Sequence, residues 1–316
     1  MAAGETRGMS GEPADGDRCR FAAFDARDPA KQPSNQVLAR RLWRPSSLAV
    51  LLLCAAASSA QTTDQRLERK NADELSPERQ LIDQAIKNLK VYAGDQTKPM
   101  QSHIVMRWPN NVRGTRDGAT IILTDAGRPQ AACCIYTWQG KELHYCFGSL
   151  STKHVSAEVD GEIVWHPKDP GIEYRLMPVA TEPAANAAGR LRQMRQLSRR
   201  FGSRYVESKT KSYELRLIPR PVYRYDLGEP KADAEVVDGA MFAFAQGTDP
   251  ELLLMIEARR SPSGLRWYYA TAKRTVGQVD ISLDRKAVQV HKWGGWKPFQ
   301  PNAIFSTLRR PIKRDE

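Results

Sequence analysis

The chain lacks the short motifs by which common catalytic sites are recognised. It has no Gly-x-Ser-x-Gly turn, no His-Glu-x-x-His pair, no phosphate-binding loop and no dinucleotide fingerprint. Its five histidines are scattered, and none has a carboxylate at a spacing that suggests a catalytic or metal pair. Distant residues could still converge in the fold, as triads do. The sequence therefore predicts no catalytic residue and no cofactor, and it favours a protein that is not an enzyme.

Long apolar runs are also scarce, and the main one is short. Residues 48–57 are apolar, follow an arginine-rich segment and are followed by small residues. This order is typical of a secretory signal peptide, whereas a stable membrane anchor needs about 20 apolar residues. We therefore expect residues 37–60 to be the signal peptide and the mature chain to begin at Gln61, without a membrane span. Export places it in the periplasm or outside the cell.

The signal peptide lies unusually far from the first residue. Residues 1–36 are polar and rich in glycine, alanine, aspartate and proline, which indicates a disordered extension. Either translation starts near Val37 and the extension is an artefact of the gene start, or the chain has a real disordered leader. A lipid anchor at Cys54 is a further option, but Leu53 is bulky where the modifying enzymes accept a small residue.

Acidic residues are outnumbered, with 36 Asp and Glu against 48 Lys and Arg, so the formal net charge is +12 at pH 7. Such a basic balance indicates anionic partners. Export argues against nucleic acid, and the basic residues are not interleaved with stacking aromatics. We expect an anionic envelope polymer or another envelope protein as the partner. The alternative is a soluble surface that is simply cationic.

Two parts of the chain follow the same pattern of strands and turns. Asp117-Gly118-Ala119 and Asp238-Gly239-Ala240 each open an apolar strand, and the turn prolines Pro129 and Pro250 follow at the same distance. Each part continues with strands punctuated by glycine, proline and aspartate, which predicts an antiparallel meander. A helix with apolar periodicity precedes each meander, and one strand links the two. We therefore expect fold class α+β: two tandem repeats of a helix, a strand and an antiparallel β-meander, with each helix across one face of its sheet.

The segment boundaries follow from these patterns and from shifts in composition. The expected segments are a disordered extension (1–36), the signal peptide (37–60), a disordered linker (61–75), the first repeat (76–177), a second linker (178–188), the second repeat (189–296) and a basic C-terminal tail (297–316). The ordered part would then consist of two similar units in series.

Several short sequence runs between residues 117 and 250 are distinctive when taken together. They are the first Asp-Gly-Ala triplet with Gly127-Arg128-Pro129, then Ile135-Tyr136, Arg190-Leu191-Arg192-Gln193-Met194 and Gly247-Thr248-Asp249-Pro250. With these runs the chain resembles an uncharacterised family of exported proteins from Planctomycetes-type bacteria, over most of residues 75–293. Since no activity is known for that family, the resemblance implies export and domain extent, and it carries no functional residue.

The cysteines of the mature chain fall in one predicted hairpin. If Gln139-Gly140 is a two-residue turn, Cys133 and Cys146 lie directly opposite each other, with Cβ atoms about 4.5–5.5 Å apart. They are therefore a candidate disulfide, and Cys134 is a buried thiol on the other face. His144 shares the face of Cys133 and Cys146, which makes these three residues a weak candidate metal site. The alternative is two reduced thiols beside a surface histidine.

Two further patterns suggest binding surfaces. The second predicted helix carries a candidate anion-docking face, because guanidinium groups bind phosphate and carboxylate groups bidentately; it consists of Arg190, Arg192, Arg195, Arg199 and Arg200. The alternative is the solvated side of an amphipathic helix. Near the carboxyl terminus, a candidate aromatic contact for a sugar or peptide consists of Trp293 and Trp296. The alternative is that these tryptophans cover a sheet edge.

These observations favour an exported, non-enzymatic binding or scaffold protein of the cell envelope, whose ligand the sequence does not identify. The alternative is an envelope hydrolase with an unrecognised active site. A pocket that holds a histidine, a carboxylate and a nucleophile would favour the hydrolase. An aromatic groove between the two halves would favour binding.

Overall fold

Antiparallel strands make up most of the described part of this protein. The computed structural model describes residues 76–110, 114–228, 234–294 and 297–312, all within one compact unit that spans residues 67–316. Of these residues, 52% are in strands and 11% in helices. The expected leader, signal peptide and first linker lie outside the described residues. The expectation of antiparallel sheet is confirmed.

Among the described residues, the first half contains one helix and seven strands. They are α1 (Pro77–Asn88), β1 (Leu89–Ala93), β2 (Gln101–Arg107), β3 (Gly118–Asp125), β4 (Arg128–Trp138), β5 (Glu142–Ser149), β6 (Val155–Val159) and β7 (Glu162–Trp165). The Ser76 hydroxyl caps α1 by accepting a hydrogen bond from the Arg79 backbone N–H. A short strand, β8 (Arg175–Leu176), lies in the connection to the second half.

The second half also has one helix, and it ends in a strand that returns to the first half. Its elements are α2 (Ala187–Ser198), β9 (Phe201–Val206), β10 (Ser212–Leu217), β11 (Tyr223–Arg224), β12 (Val236–Gln246), β13 (Asp249–Ser261), β14 (Gly264–Lys273), β15 (Gln278–Leu283), β16 (Lys286–His291) and β17 (Phe305–Pro311). The Asn186 side chain caps α2 through the Gly189 backbone N–H. Among the described residues, no helix is both long and apolar enough to cross a membrane.

The predicted α+β class, with two repeats of a helix, a strand and a meander, is wrong. The protein is mostly β, with a curled antiparallel sheet of half-barrel form, and the two short helices contribute little. The helical spacing of apolar residues continues beyond the end of each helix, so by itself it predicts helices that are too long. In β1 the residues are alternately buried and more exposed, as in a strand rather than a helix, and Phe201 begins β9 instead of closing α2.

The predicted meanders are also divided between sheets. One sheet has the strand order β17-β5-β4-β3-β2, and a small sheet has the order β1-β6-β7. The largest sheet has the order β16-β15-β9-β10-β12-β13-β14-β8, with β11 also beside β12. Strands β6 and β7 thus join β1 rather than β5, and β15 and β16 likewise join β9. In each half, the strand that follows the helix pairs with the last hairpin of that half.

The strand pairings of the two halves nevertheless follow the same order, including one irregularity. The pairing of β3 with β4 shifts between Leu123 and Thr124, and the pairing of β12 with β13 shifts between Phe244 and Ala245. A turn proline stands just beyond each shift, opposite Thr124 or Ala245. Because proline has no N–H to donate to the ladder, it is tolerated in a sheet at such a bulge.

The core forms layers around these sheets. One face of the β2–β5 sheet packs against α1 and the small sheet, and the largest sheet curls around α2. The remaining face of β3–β5 packs against the remaining face of β12–β14. We call this contact between the two halves the seam, and its apolar centre includes Ile122, Ala132, Met241, Leu253 and Ala270.

Candidate functional site

A cavity of about 200 Å³ lies where the two halves meet, next to the ends of β4, β13 and β14. We call it the seam cleft. Both halves contribute aromatic side chains to its wall: Trp108, Tyr136, Trp138, Tyr205, Trp293 and Phe305. Carboxylates of the second half, Asp249 and Glu251 among them, complete the lining. The wall therefore combines aromatic side chains with polar and charged ones, Arg274 among them.

A second, larger cavity of about 480 Å³ lies elsewhere, next to the turn between β3 and β4. Its wall consists mostly of loop residues, among them Ala126, Lys153 and Gly228. It borders residues 229–233, which lie outside the described residues. For these reasons we consider the seam cleft the better candidate site.

Arg274 joins the two halves beside the seam cleft. Its side chain is buried, and its Nη1 and Nη2 atoms donate to the backbone carbonyls of Ala132 (3.2 Å) and Cys146 (2.6 Å) in the first half. Its own backbone N–H donates to the Glu251 carbonyl at 2.7 Å. Only glycine fits at position 148, because a Cβ atom there would overlap the guanidinium group. These contacts fix the position of β14 relative to β4 and β5.

Three side chains of the first half form a hydrogen-bonded chain that reaches the cleft. His144 Nδ1 lies 3.1 Å from the Tyr136 hydroxyl, and His144 Nε2 lies 2.9 Å from a Glu142 carboxylate oxygen. Burial lowers the pKa of His144, against the opposing effect of its hydrogen bond with Glu142. A neutral imidazole must donate to the carboxylate through Nε2 and accept the Tyr136 O–H at Nδ1. The indole of Trp138 stacks on the same imidazole, with 6.1 Å between ring centroids.

The predicted register of the cysteine hairpin is wrong by one residue. Trp138 pairs with Glu142, so the loop has three residues instead of two. Gln139 and Gly140 adopt φ angles of 50° and 64°, as a tight turn requires, but the turn closes with the Lys141 N–H donating to the Trp138 carbonyl. Lys141 is thus an additional loop residue, which the two-residue prediction placed in the strand.

This shift changes the partner of every cysteine. Cys133 lies opposite Phe147 in the core beside α1, and Cys134 lies opposite Cys146 on the seam side. All three are free thiols, so the predicted Cys133–Cys146 bridge is not formed. Nor are Cys133, His144 and Cys146 brought together, because Cys133 occupies the other face of the sheet. The described residues contain no group of three or more metal-binding side chains placed to hold an ion.

The five arginines of the predicted docking face do not share one face. Arg190 is buried, and its Nε donates to Asp238 at 2.7 Å. Arg200 donates through Nε to Asp284 at 2.9 Å. The other three are exposed, lie along one side of α2 and make no ion pair with another described residue: Arg192, Arg195 and Arg199. The sequence does not reveal that Asp238 and Asp284 come close to this helix.

The predicted aromatic contact is only partly described. Trp293 is 45% exposed and lines the seam cleft, whereas Trp296 lies outside the described residues. The sequence analysis did not assign Trp108, Tyr136 or Trp138 to a site. A correct register would have placed Tyr136 and Trp138 on the face of His144, but no local signal identifies Trp108.

Comparisons with protein-family models, curated proteins and solved structures find no match to this chain. The resemblance to an exported family of Planctomycetes-type bacteria therefore stays a prediction. Function has to be argued from the geometry and chemistry of the seam cleft.

Proposed function

We propose that this chain is an exported, non-enzymatic binding protein of the cell envelope, and that its ligand occupies the seam cleft. The observation that carries the proposal is the shared aromatic wall. Trp108 and Trp138 come from the first half, and Tyr205 and Trp293 come from the second. Ligand pockets favour such junctions and are lined mainly by apolar and aromatic groups with a few polar ones.

The size of the cleft limits what it can hold. A volume of about 200 Å³ corresponds to roughly seven water molecules at about 30 Å³ each. A monosaccharide, an amino acid or the end group of a polymer has this scale, whereas a folded partner does not. The proposed ligand is therefore a small molecule or the terminal group of an envelope polymer.

Exposed charge on α2, which lies on the opposite face of the largest sheet from the seam, suits an anionic polymer. The carboxylates of Asp249 and Glu251 in the cleft wall suit a neutral or cationic end group of that polymer. Arg192, Arg195 and Arg199 lie along one exposed side of α2 and make no ion pair with a described residue. Side chains three and four residues apart on a helix are neighbours, so their like charges repel each other. An anionic polymer would relieve this repulsion and would receive bidentate contacts from each guanidinium group.

One observation favours the alternative, an envelope hydrolase. The hydrogen-bonded chain of Glu142, His144 and Tyr136 places a carboxylate, an imidazole and a hydroxyl in the order of a catalytic triad. However, burial raises the pKa of the Tyr136 phenol and raises the pKa of the nearby Cys146 thiol to about 12. The Cys146 thiol is thus held in its protonated, unreactive form, and Tyr136 could react only if His144 removed its proton.

Tryptophan fluorescence tests the binding proposal, because several tryptophans line the cleft. The mature chain would be titrated with a neutral, an anionic and a cationic probe: N-acetylglucosamine, glucuronate and cadaverine. For a probe that binds, Trp293→Ala should weaken binding by about tenfold, the usual effect of truncating an aromatic anchor. Ile163→Ala removes an exposed side chain of β7, 66% accessible and outside the cleft, and should leave binding unchanged. Equal affinities for the two variants would contradict the proposal.

The hydrolase alternative has its own test. Tyr136→Phe removes only the hydroxyl that reaches His144, so it should leave a binding protein able to bind. Hydrolysis of p-nitrophenyl acetate by the wild-type chain, and its loss in Tyr136→Phe, would favour the hydrolase. Activity that is equal in both proteins would argue against any role of this hydroxyl in catalysis.

A further inference from the structure

We propose that Cys134 and Cys146 are a redox modification site, at which an external disulfide oxidises the pair to a cross-strand disulfide bond. The two residues lie directly opposite each other on neighbouring strands, β4 and β5. They point to the same side of the sheet and contact the same apolar cluster around Trp108. The site is therefore a facing pair, and it differs from the pair that the sequence predicts.

The separation of a facing pair suits a bridge. Opposite residues in an antiparallel ladder have Cβ atoms about 4.5–5.5 Å apart, and a disulfide needs about 3.5–4.5 Å. A shift of about 1 Å within the hairpin closes this gap. Cys133 has no comparable partner, since it lies opposite Phe147 and packs in the core beside α1. The geometry thus selects Cys134 over its neighbour.

The oxidation proceeds by two thiol–disulfide exchanges. The thiolate of one cysteine attacks an external disulfide, whose S–S bond breaks, and a mixed disulfide forms as one thiolate leaves. The second cysteine loses its proton to water and attacks the protein-bound sulfur of the mixed disulfide, which releases the other thiol. The protein gives up two electrons and two protons in total, and the external disulfide leaves as two thiols.

The C-terminal strand decides when this reaction can occur. In the folded chain Cys134 is 3% exposed and Cys146 is 7% exposed. The Cys146 Sγ atom lies 3.3 Å from the Thr307 hydroxyl on β17, and Phe305 of the same strand packs on the cluster. Burial also raises the pKa of the Cys146 thiol to about 12, so little thiolate is present. Arg274 Nη2 of the second half also lies 3.5 Å from Cys134 Sγ. Exchange is therefore fast before the second half and β17 pack on this face of β4 and β5, and slow afterwards.

The test refolds the full chain from the reduced, denatured state in the presence of oxidised glutathione, with reduced glutathione as the matched control. Free thiols are then blocked, and the protein is digested with trypsin without reduction. Because Lys141 lies between the two cysteines, cleavage there leaves two peptides joined only by the bridge. We expect this joined pair in the oxidised sample only, and a melting temperature higher by about 5 °C.

Variants identify which cysteine forms the bridge with Cys146. Cys133→Ala should retain both the joined peptides and the higher melting temperature. Cys134→Ala and Cys146→Ala should each lose both, while circular dichroism shows that they fold. Joined peptides that persist in Cys134→Ala would overturn the proposal by showing that Cys133 is the partner. Oxidised wild-type protein without joined peptides would overturn it as well, whatever the fluorescence titrations show.

Discussion

At the scale of single residues, Glu257 stands out because its charged side chain is fully buried at the seam. Its carboxylate accepts hydrogen bonds from Arg128 Nε (3.0 Å), Arg259 Nε (2.7 Å) and the Tyr174 hydroxyl (2.6 Å). Glu257→Gln removes the negative charge, which leaves Arg128 without its counterion and Arg259 with only the exposed carboxylate of Glu235. We expect it to lower the free energy of unfolding by about 3–5 kcal/mol, measured by urea denaturation.

The control at this scale is Glu182→Gln. Glu182 also pairs with an arginine, Arg266, but its side chain is 62% exposed. Water screens such a pair, so its contribution to stability is small. If the two variants lost stability equally, the seam network would not be the source of the effect.

At the scale of elements, two hairpins make the same turn with different residues. Asp160-Gly161 joins β6 to β7 and Asp284-Arg285 joins β15 to β16, with positive φ at all four residues. A residue other than glycine loses about 1–2 kcal/mol of stability when it adopts this left-handed conformation. Glycine avoids that strain, but it loses about 0.5–1 kcal/mol because its backbone is more flexible in the unfolded chain. Arg285→Gly should therefore stabilise the protein by roughly 0.5–1 kcal/mol. The reciprocal Gly161→Arg should destabilise it, because φ is 87° there although nothing lies within 4 Å of an added Cβ. Thermal unfolding of both variants measures whether their changes in stability have opposite signs.

The elements also show what the sequence could reveal. Strands β3 and β12 were predictable, because each begins near an Asp-Gly-Ala triplet and continues as a buried apolar run. Strand β1 was not, since Leu89 continues the helical spacing of Ile82 and Ile86 and also begins an alternating pattern. The hairpin register was also beyond local reasoning, because one loop residue, Lys141, changes the partner of every residue along β5. The sequence points to a groove between the two halves, but the residues that line the seam cleft depend on that register and on contacts between distant strands, so they could not be predicted.

At the scale of the whole molecule, the fit between the two halves depends on Gly127, at the turn from β3 to β4. Its carbonyl accepts hydrogen bonds from the Asp226 backbone N–H (3.3 Å) and the Tyr223 hydroxyl (3.2 Å) of the second half. A Cβ atom at Gly127 would overlap the Asp226 carbonyl. Gly127→Ala should therefore push the halves apart at this point.

Gly247 provides the matched comparison for that substitution. It occupies the corresponding turn from β12 to β13 and also has positive φ, 69°, but nothing lies within 4 Å of an added Cβ. Gly247→Ala should cost about 1–2 kcal/mol from the backbone alone. Gly127→Ala should cost about 1–3 kcal/mol more, from the added overlap. Urea denaturation measures both, and equal losses would mean that the halves adjust freely at the seam.

Strand β17 pairs with β5 along its whole length, from Phe305 opposite Gly148 to Pro311 opposite Glu142. The first half therefore lacks its outer strand until residues 305–311 are available. While the chain is being made or translocated, β5 presents a free ladder edge, which is a template for pairing with other chains. Completing the sheet also requires closure of a loop that contains the whole second half, and such distant pairing slows folding. This protein is thus most exposed to misassembly before residues 305–311 have been made, and a deletion of these residues would leave that vulnerable edge in every molecule.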